Sequence, residues 1–143
     1  MTQKDKELLL KDLCARLPYG VLCQIKGDNI NTPRKLSRIE VDELDGILLD
    51  FWTDREDYLS IQVYLSEVKP YLRPMSNMTE DEKENLQSLH DIISDENYGD
   101  GYSPFAWDAI TKWEDYCNLR HLDYRGLIPK RLALEAPKGM YEY

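Results

Sequence analysis

Apolar residues return at three- and four-residue intervals over residues 3–17. There Leu9, Leu10, Leu13, Cys14 and Leu17 fall on one face of a predicted helix. Thr2 suits its N-cap with Asp5 three residues on, and Pro18-Tyr19-Gly20 stops it. The period then shortens to two. Val21, Cys23 and Ile25 alternate with Gln24 and Lys26, which predicts a strand over 20–26 closed by the Gly27-Asp28-Asn29 turn. A second strand is expected over 35–43, with Ser37, Ile39 and Val41 on one face and Arg38, Glu40 and Asp42 on the other. Asp45-Gly46 has hairpin-turn chemistry, and residues 47–52 follow as a third strand. Residues 58–65 alternate most cleanly, with Leu59, Ile61, Val63 and Leu65 inward. Four short strands with tight connections predict an antiparallel meander, either flat or curled into a small barrel.

The second half returns to helical spacing. Pro70 and Pro74 make residues 69–78 an extended crossover. Thr79-Glu80-Asp81-Glu82 is a capping box for a helix to about residue 93, with Leu86, Leu89 and Ile93 inward. Residues 94–102 are a polar loop. Ser103 and Pro104 then open a helix striped by Ala106, Ala109, Ile110, Trp113, Tyr116 and Cys117. The tail, residues 120–143, is too apolar to be free and is expected to pack back as loop or short strand. The whole reads as one α+β domain spanning residues 1–143.

Composition agrees with a packed interior: 143 residues, 42% apolar and 31% charged. No apolar run approaches the roughly 18–20 residues that span a bilayer, so no membrane contact is expected. Met1-Thr2-Gln3-Lys4 lacks the apolar stretch of a secretory leader, so none is expected. Charge changes the picture more. Residues 1–39 hold eight basic and four acidic side chains, whereas residues 40–100 hold four basic and 17 acidic, within a total of −9. That balance disfavours nucleic acid and fits a solvated acidic face, a basic protein partner, or an acidic mimic of DNA. The three cysteines, Cys14, Cys23 and Cys117, are odd in number, lack a CxxC pair and all sit on apolar stripes. They point to a reducing cytoplasm.

Candidate chemistry is sparse. Cys117, His121 and Asp123 lie within seven residues, with Cys117 and His121 one helical turn apart. They form the one polar cluster from which a small hydrolase or metal-dependent enzyme could be built. A zinc site wants three or four ligands, and only His90 is left to join. A cysteine nucleophile, Cys23 or Cys117, would need His90 or His121 as base, and neither pairing has a local signature. The acids Asp42, Glu43, Asp45, Asp50, Asp54, Glu56 and Asp57 are abundant enough that any pair arises by chance. Gly99 and Gly101 bracket an aspartate and lack the Lys-Ser/Thr of a phosphate loop. No catalytic, metal-ligating or cofactor-binding residue is assigned, and no cofactor is expected.

Aromatic residues carry more. Tyr98, Tyr102, Phe105 and Trp107 fall outside the core stripes, and Trp107 points off the Ala106/Ile110/Trp113 face. Tyr and Trp are common interface anchors, so these four form a candidate partner surface with acidic neighbours selecting a basic protein. Three stretches, Lys11–Val21, Val68–Lys83 and His121–Pro137, resemble a group of small uncharacterised proteins from Bacteroides-type gut bacteria and their phages. The resemblance implies a bacterial cytoplasm and an accessory role on mobile genetic material. It implies no site residue. The expected function is a small acidic, non-enzymatic protein-interaction module.

Overall fold

The computed structural model describes residues 1–28, 32–44, 46–52, 61–94 and 105–141. Helix α1 (Gln3–Arg16) leads into strands β1 (Leu22–Ile25), β2 (Arg34–Asp42), β3 (Gly46–Phe51), β4 (Ile61–Tyr64) and β5 (Val68–Leu72). Helices α2 (Glu80–Ile93) and α3 (Ala106–Leu119) follow, and β6 (Leu134–Glu135) closes the order. Helices α1 and α2 start at the N-cap threonines expected, and the capping box expected at Thr79 is matched by a second one at Thr2. The Thr2 hydroxyl accepts from the Asp5 N–H while Asp5 accepts from Thr2, and Thr79 and Glu82 repeat the exchange at α2.

The strands form one sheet in the order β4-β3-β2-β1-β5-β6. β1 to β4 are an antiparallel meander, but that meander is two-thirds of a larger, mixed and open sheet. The barrel option is therefore corrected: β4 and β6 are separate edges. The crossover expected over 69–78 is in part strand β5, which pairs antiparallel with β1 and parallel with β6. Pro70 is accommodated because β6 reaches only Tyr71 and Leu72, so at Pro70 the ladder runs on one side alone. The tail supplies β6, the short strand expected there.

One face of the sheet is the core. Leu9 and Leu13 of α1 cover Val21, Cys23, Ile25, Leu36, Leu49, Phe51, Val68 and Leu72, and Leu127, Leu132 and Ala133 of the tail complete it. Each such leucine contributes about 1.5–3 kcal/mol by leaving water. The phase of β2 departs from simple alternation. Ser37 is an extra residue between Leu36↔Phe51 and Arg38↔Asp50, so buried Leu36 precedes it and half-buried Ile39 follows it, while Val41 at the strand end is 74% exposed. Residues 58–60, including Leu59, lie outside the described residues. Cys14 also departs: it is exposed, because the buried stripe of α1 runs through Leu9, Asp12, Leu13 and Arg16 instead.

A second, smaller apolar cluster joins Leu86 of α2, Cys117 of α3 and Leu122, with Trp113, Tyr116 and Tyr124 against it. The two helices run antiparallel, since Asn85 meets Tyr116 and Glu82 meets Arg120. Among the described residues no helix is long and apolar enough to cross a membrane.

Candidate functional site

Between the two apolar clusters lies a layer of buried charge. On α1, Asp12 and Arg16 are one turn apart and both wholly buried, with Arg16 Nε 3.0 Å from each carboxylate oxygen. Arg16 also donates to the Cys117 carbonyl at 3.4 Å and the Leu122 carbonyl at 2.6 Å, which satisfies the end of α3. Arg125 donates to Asp12 at 2.8 Å and to Asn118 at 3.1 Å, and its guanidinium lies 4.3 Å from the Tyr124 ring centroid.

A second knot centres on Glu82. Its carboxylate takes both forks of Arg73 at 2.7 Å, Arg120 Nε at 2.9 Å and the Thr79 N–H at 2.8 Å. Burial pushes this carboxyl up, but the bonds from Arg73, Thr79 and Arg120 outweigh it and hold it down at about 2. Arg73 spends its remaining donors on the Asn77 and Arg120 carbonyls. Its backbone bridges to the loop after α3: the Arg73 N–H donates to His121 and the Asp123 N–H donates back to Arg73.

The polar cluster Cys117, His121 and Asp123 sits around this layer, and each side chain is engaged separately. The Asp123 carboxylate accepts the Leu127 and Ile128 N–H groups at 2.8 and 2.9 Å and so folds the following turn. His121, in left-handed backbone at φ 56°, stacks on Tyr141 with centroids 3.8 Å apart. Burial, then the charges of Arg16 and Arg73, push its imidazole down to about 4, so it is neutral at pH 7. Tyr141 in turn accepts the Leu22 N–H and donates to the Tyr71 carbonyl, both at 2.9 Å. Cys117 is wholly buried and its thiol is pushed up to about 12, the opposite of what a nucleophile needs. Burial likewise pushes Cys23 up. His90 is exposed on α2. Among the described residues no three His, Cys, Asp or Glu side chains converge as metal ligands would.

The acids singled out on β2 and β3 act locally where they are described. Asp42 accepts the Leu44 N–H in the hairpin, and Asp50 accepts from Gln62 across the sheet. Asp45, Asp54, Glu56 and Asp57 lie outside the described residues, as do Gly99, Gly101, Ser103 and Pro104.

Of the aromatic surface, Tyr98 and Tyr102 lie outside the described residues. Phe105 and Trp107 flank the first residue of α3 and are 66% and 69% exposed. Because α2 and α3 are antiparallel, the end of α2 lies beside them, bringing Ile92, 42% exposed, and Asp91 to the same end of the hairpin. Asp108 adds a carboxylate, partnered by Lys112 at 2.9 Å.

Sequence reasoning missed the ionic layer. Its signal was a charged pair, Asp12 and Arg16, in phase with Leu9 and Leu13 on the buried stripe. No family model, curated protein or solved structure matches the chain.

Proposed function

We propose that this chain is a small acidic protein-binding module of a bacterial cytoplasm, which engages a basic partner through Phe105 and Trp107. The observation that carries this reading is their exposure at the end of the α2/α3 pair that also carries the exposed Ile92 and Asp91. Large rings in water have a desolvation gain to offer a partner, and surrounding carboxylates favour Lys and Arg over acidic competitors. An arginine seated on Trp107 would add a cation–π contact. The ionic layer supports the same reading from the other side. Its arginines and carboxylates satisfy one another, Cys117 stays a thiol and His121 is neutral and stacked, so this layer holds α2 and α3 on the sheet.

The test is crosslinking and affinity capture from a bacterial lysate with the parent chain and with Phe105→Ala/Trp107→Ala. A basic protein captured by the parent, released by added salt and lost with the double substitution is the expected result. Equal recovery on both baits removes the reading.

A further inference from the structure

The outward face of the sheet gathers three neighbouring lysines. On β1, Leu22 and Gln24 alternate with buried Cys23, and Lys26 continues their phase just beyond the strand. Lys35 stands opposite Leu22 on β2, and Lys69 stands opposite Gln24 on β5. All three lysines are exposed, and among the described residues none makes an ion pair, in a chain with 27 acids. Like charges on neighbouring positions of one sheet face repel one another.

A groove of about 520 Å³ is lined by Lys26 and Lys69 together with Gln24 and the apolar Leu134. Two carboxylates also line it; Asp28 is neutralised by an arginine, whereas Glu67 keeps its charge. Asp28 accepts from Arg34 Nε at 2.6 Å, and Glu67 accepts the Tyr64 N–H at 3.0 Å. The groove thus carries two ammonium groups against one carboxylate, Glu67, that has no cationic partner among the described residues, with an amide able to donate and accept and an oily side.

We propose that this groove docks an acidic, extended peptide segment of a partner protein, distinct from the basic partner of the hairpin end. Carboxylates bridging Lys26 and Lys69 would relieve their repulsion, Gln24 would meet the peptide backbone, and Leu134 would take an apolar side chain. Lysines attract phosphates too, but among the described residues no aromatic ring lines the groove for a base to stack on.

Fluorescence anisotropy at low salt tests this with labelled deca-glutamate, deca-lysine and a single-stranded oligothymidylate of equal length. Deca-glutamate is expected to bind, to weaken as salt is added, and to lose about tenfold in affinity in Lys26→Glu/Lys69→Glu. Lys4→Glu/Lys11→Glu, of the same net charge, and Phe105→Ala/Trp107→Ala should bind as the parent does. Lys26→Gln/Lys69→Gln should fall between, and it decides the matter if the reversal pair misfolds. The proposal is overturned by absent binding, by equal loss in both lysine-to-glutamate pairs, or by tighter binding of the oligothymidylate. A dimer seen in sedimentation and abolished by Lys26→Glu/Lys69→Glu also overturns it, because the face would then belong to a second copy.

Discussion

Arg73 holds both carboxylate oxygens of Glu82 at 2.7 Å, and Glu82 at the same time closes the capping box of its own helix on Thr79. One side chain therefore starts α2 and moors it to the end of β5. The local signal, a Thr three residues before a Glu, is common. Placing that Glu where two arginines also reach it turns a helix start into a tertiary anchor.

Breaking this anchor should be costly because the wholly buried Glu82 would lose both Arg73 bonds and keep Arg120 as its counter-charge. Arg73→Met is expected to destabilise the fold by about 3–5 kcal/mol in urea unfolding. Arg73→Lys should recover only part, since an ammonium cannot take both oxygens in parallel. A loss inside the ~0–1 kcal/mol typical of exposed pairs would show that the anchor is not desolvated in solution.

Acid should weaken the fold in two stages with one sign. His121 drops from its ordinary 6.5 to about 4, so between those values the unfolded chain binds a proton that the folded chain refuses. Its contribution is complete above pH 6.5 and falls as pH is lowered toward 4. Glu82, held at about 2 against an ordinary 4.5, extends the loss below pH 4.5. Denaturant titrations at several pH values should show stability falling by up to about 1.4 kcal/mol per pH unit in the first window. His121→Asn, whose side chain tolerates the left-handed backbone, should flatten that window and leave the lower one.

The ionic layer separates a large apolar cluster from a small one, and this should be visible in hydrogen exchange. Amides around Leu86 and Cys117 are expected to exchange through a partial opening, with lower protection than those of Cys23 and Leu49 in the main core. Equal protection across both clusters would mean that the layer transmits cooperativity instead of interrupting it.

The cysteines should differ in reactivity. Cys14 is exposed, whereas Cys23 and Cys117 are buried. Titration of the native protein with a thiol reagent should modify one cysteine, and peptide mapping should identify it as Cys14. All three should react in denaturant.

What could be read from the chain was what short range decides. The capping box at Thr79, the α1 and α2 starts and the alternation of Val21, Cys23 and Ile25 need only a few neighbouring residues. The errors have particular causes. A single extra residue, Ser37, breaks the two-residue count of β2, and Val41, on the same face as Ile39, is exposed because it lies at the strand end beyond the core. Two prolines disguised β5, whose pairing at Pro70 is one-sided. Cys14 continues the apolar spacing of Leu10, yet Asp12 and Arg16 take the buried stripe, and their partners Cys117, Leu122 and Arg125 come more than a hundred residues later. Such a pairing leaves no periodic trace. Of the candidate surface, Phe105 and Trp107 were legible because they interrupt a strong stripe, while the lysine groove depends on strand order and was not.

The hydroxyl of Tyr141 stitches Leu22 to Tyr71, joining the second strand neighbour of the chain's beginning to a residue from its far end. During synthesis the β1–β5 ladder needs only the first 72 residues, whereas the Tyr141 hydroxyl adds its two bonds across that seam only when residue 141 has emerged, so this is the part of the sheet completed latest.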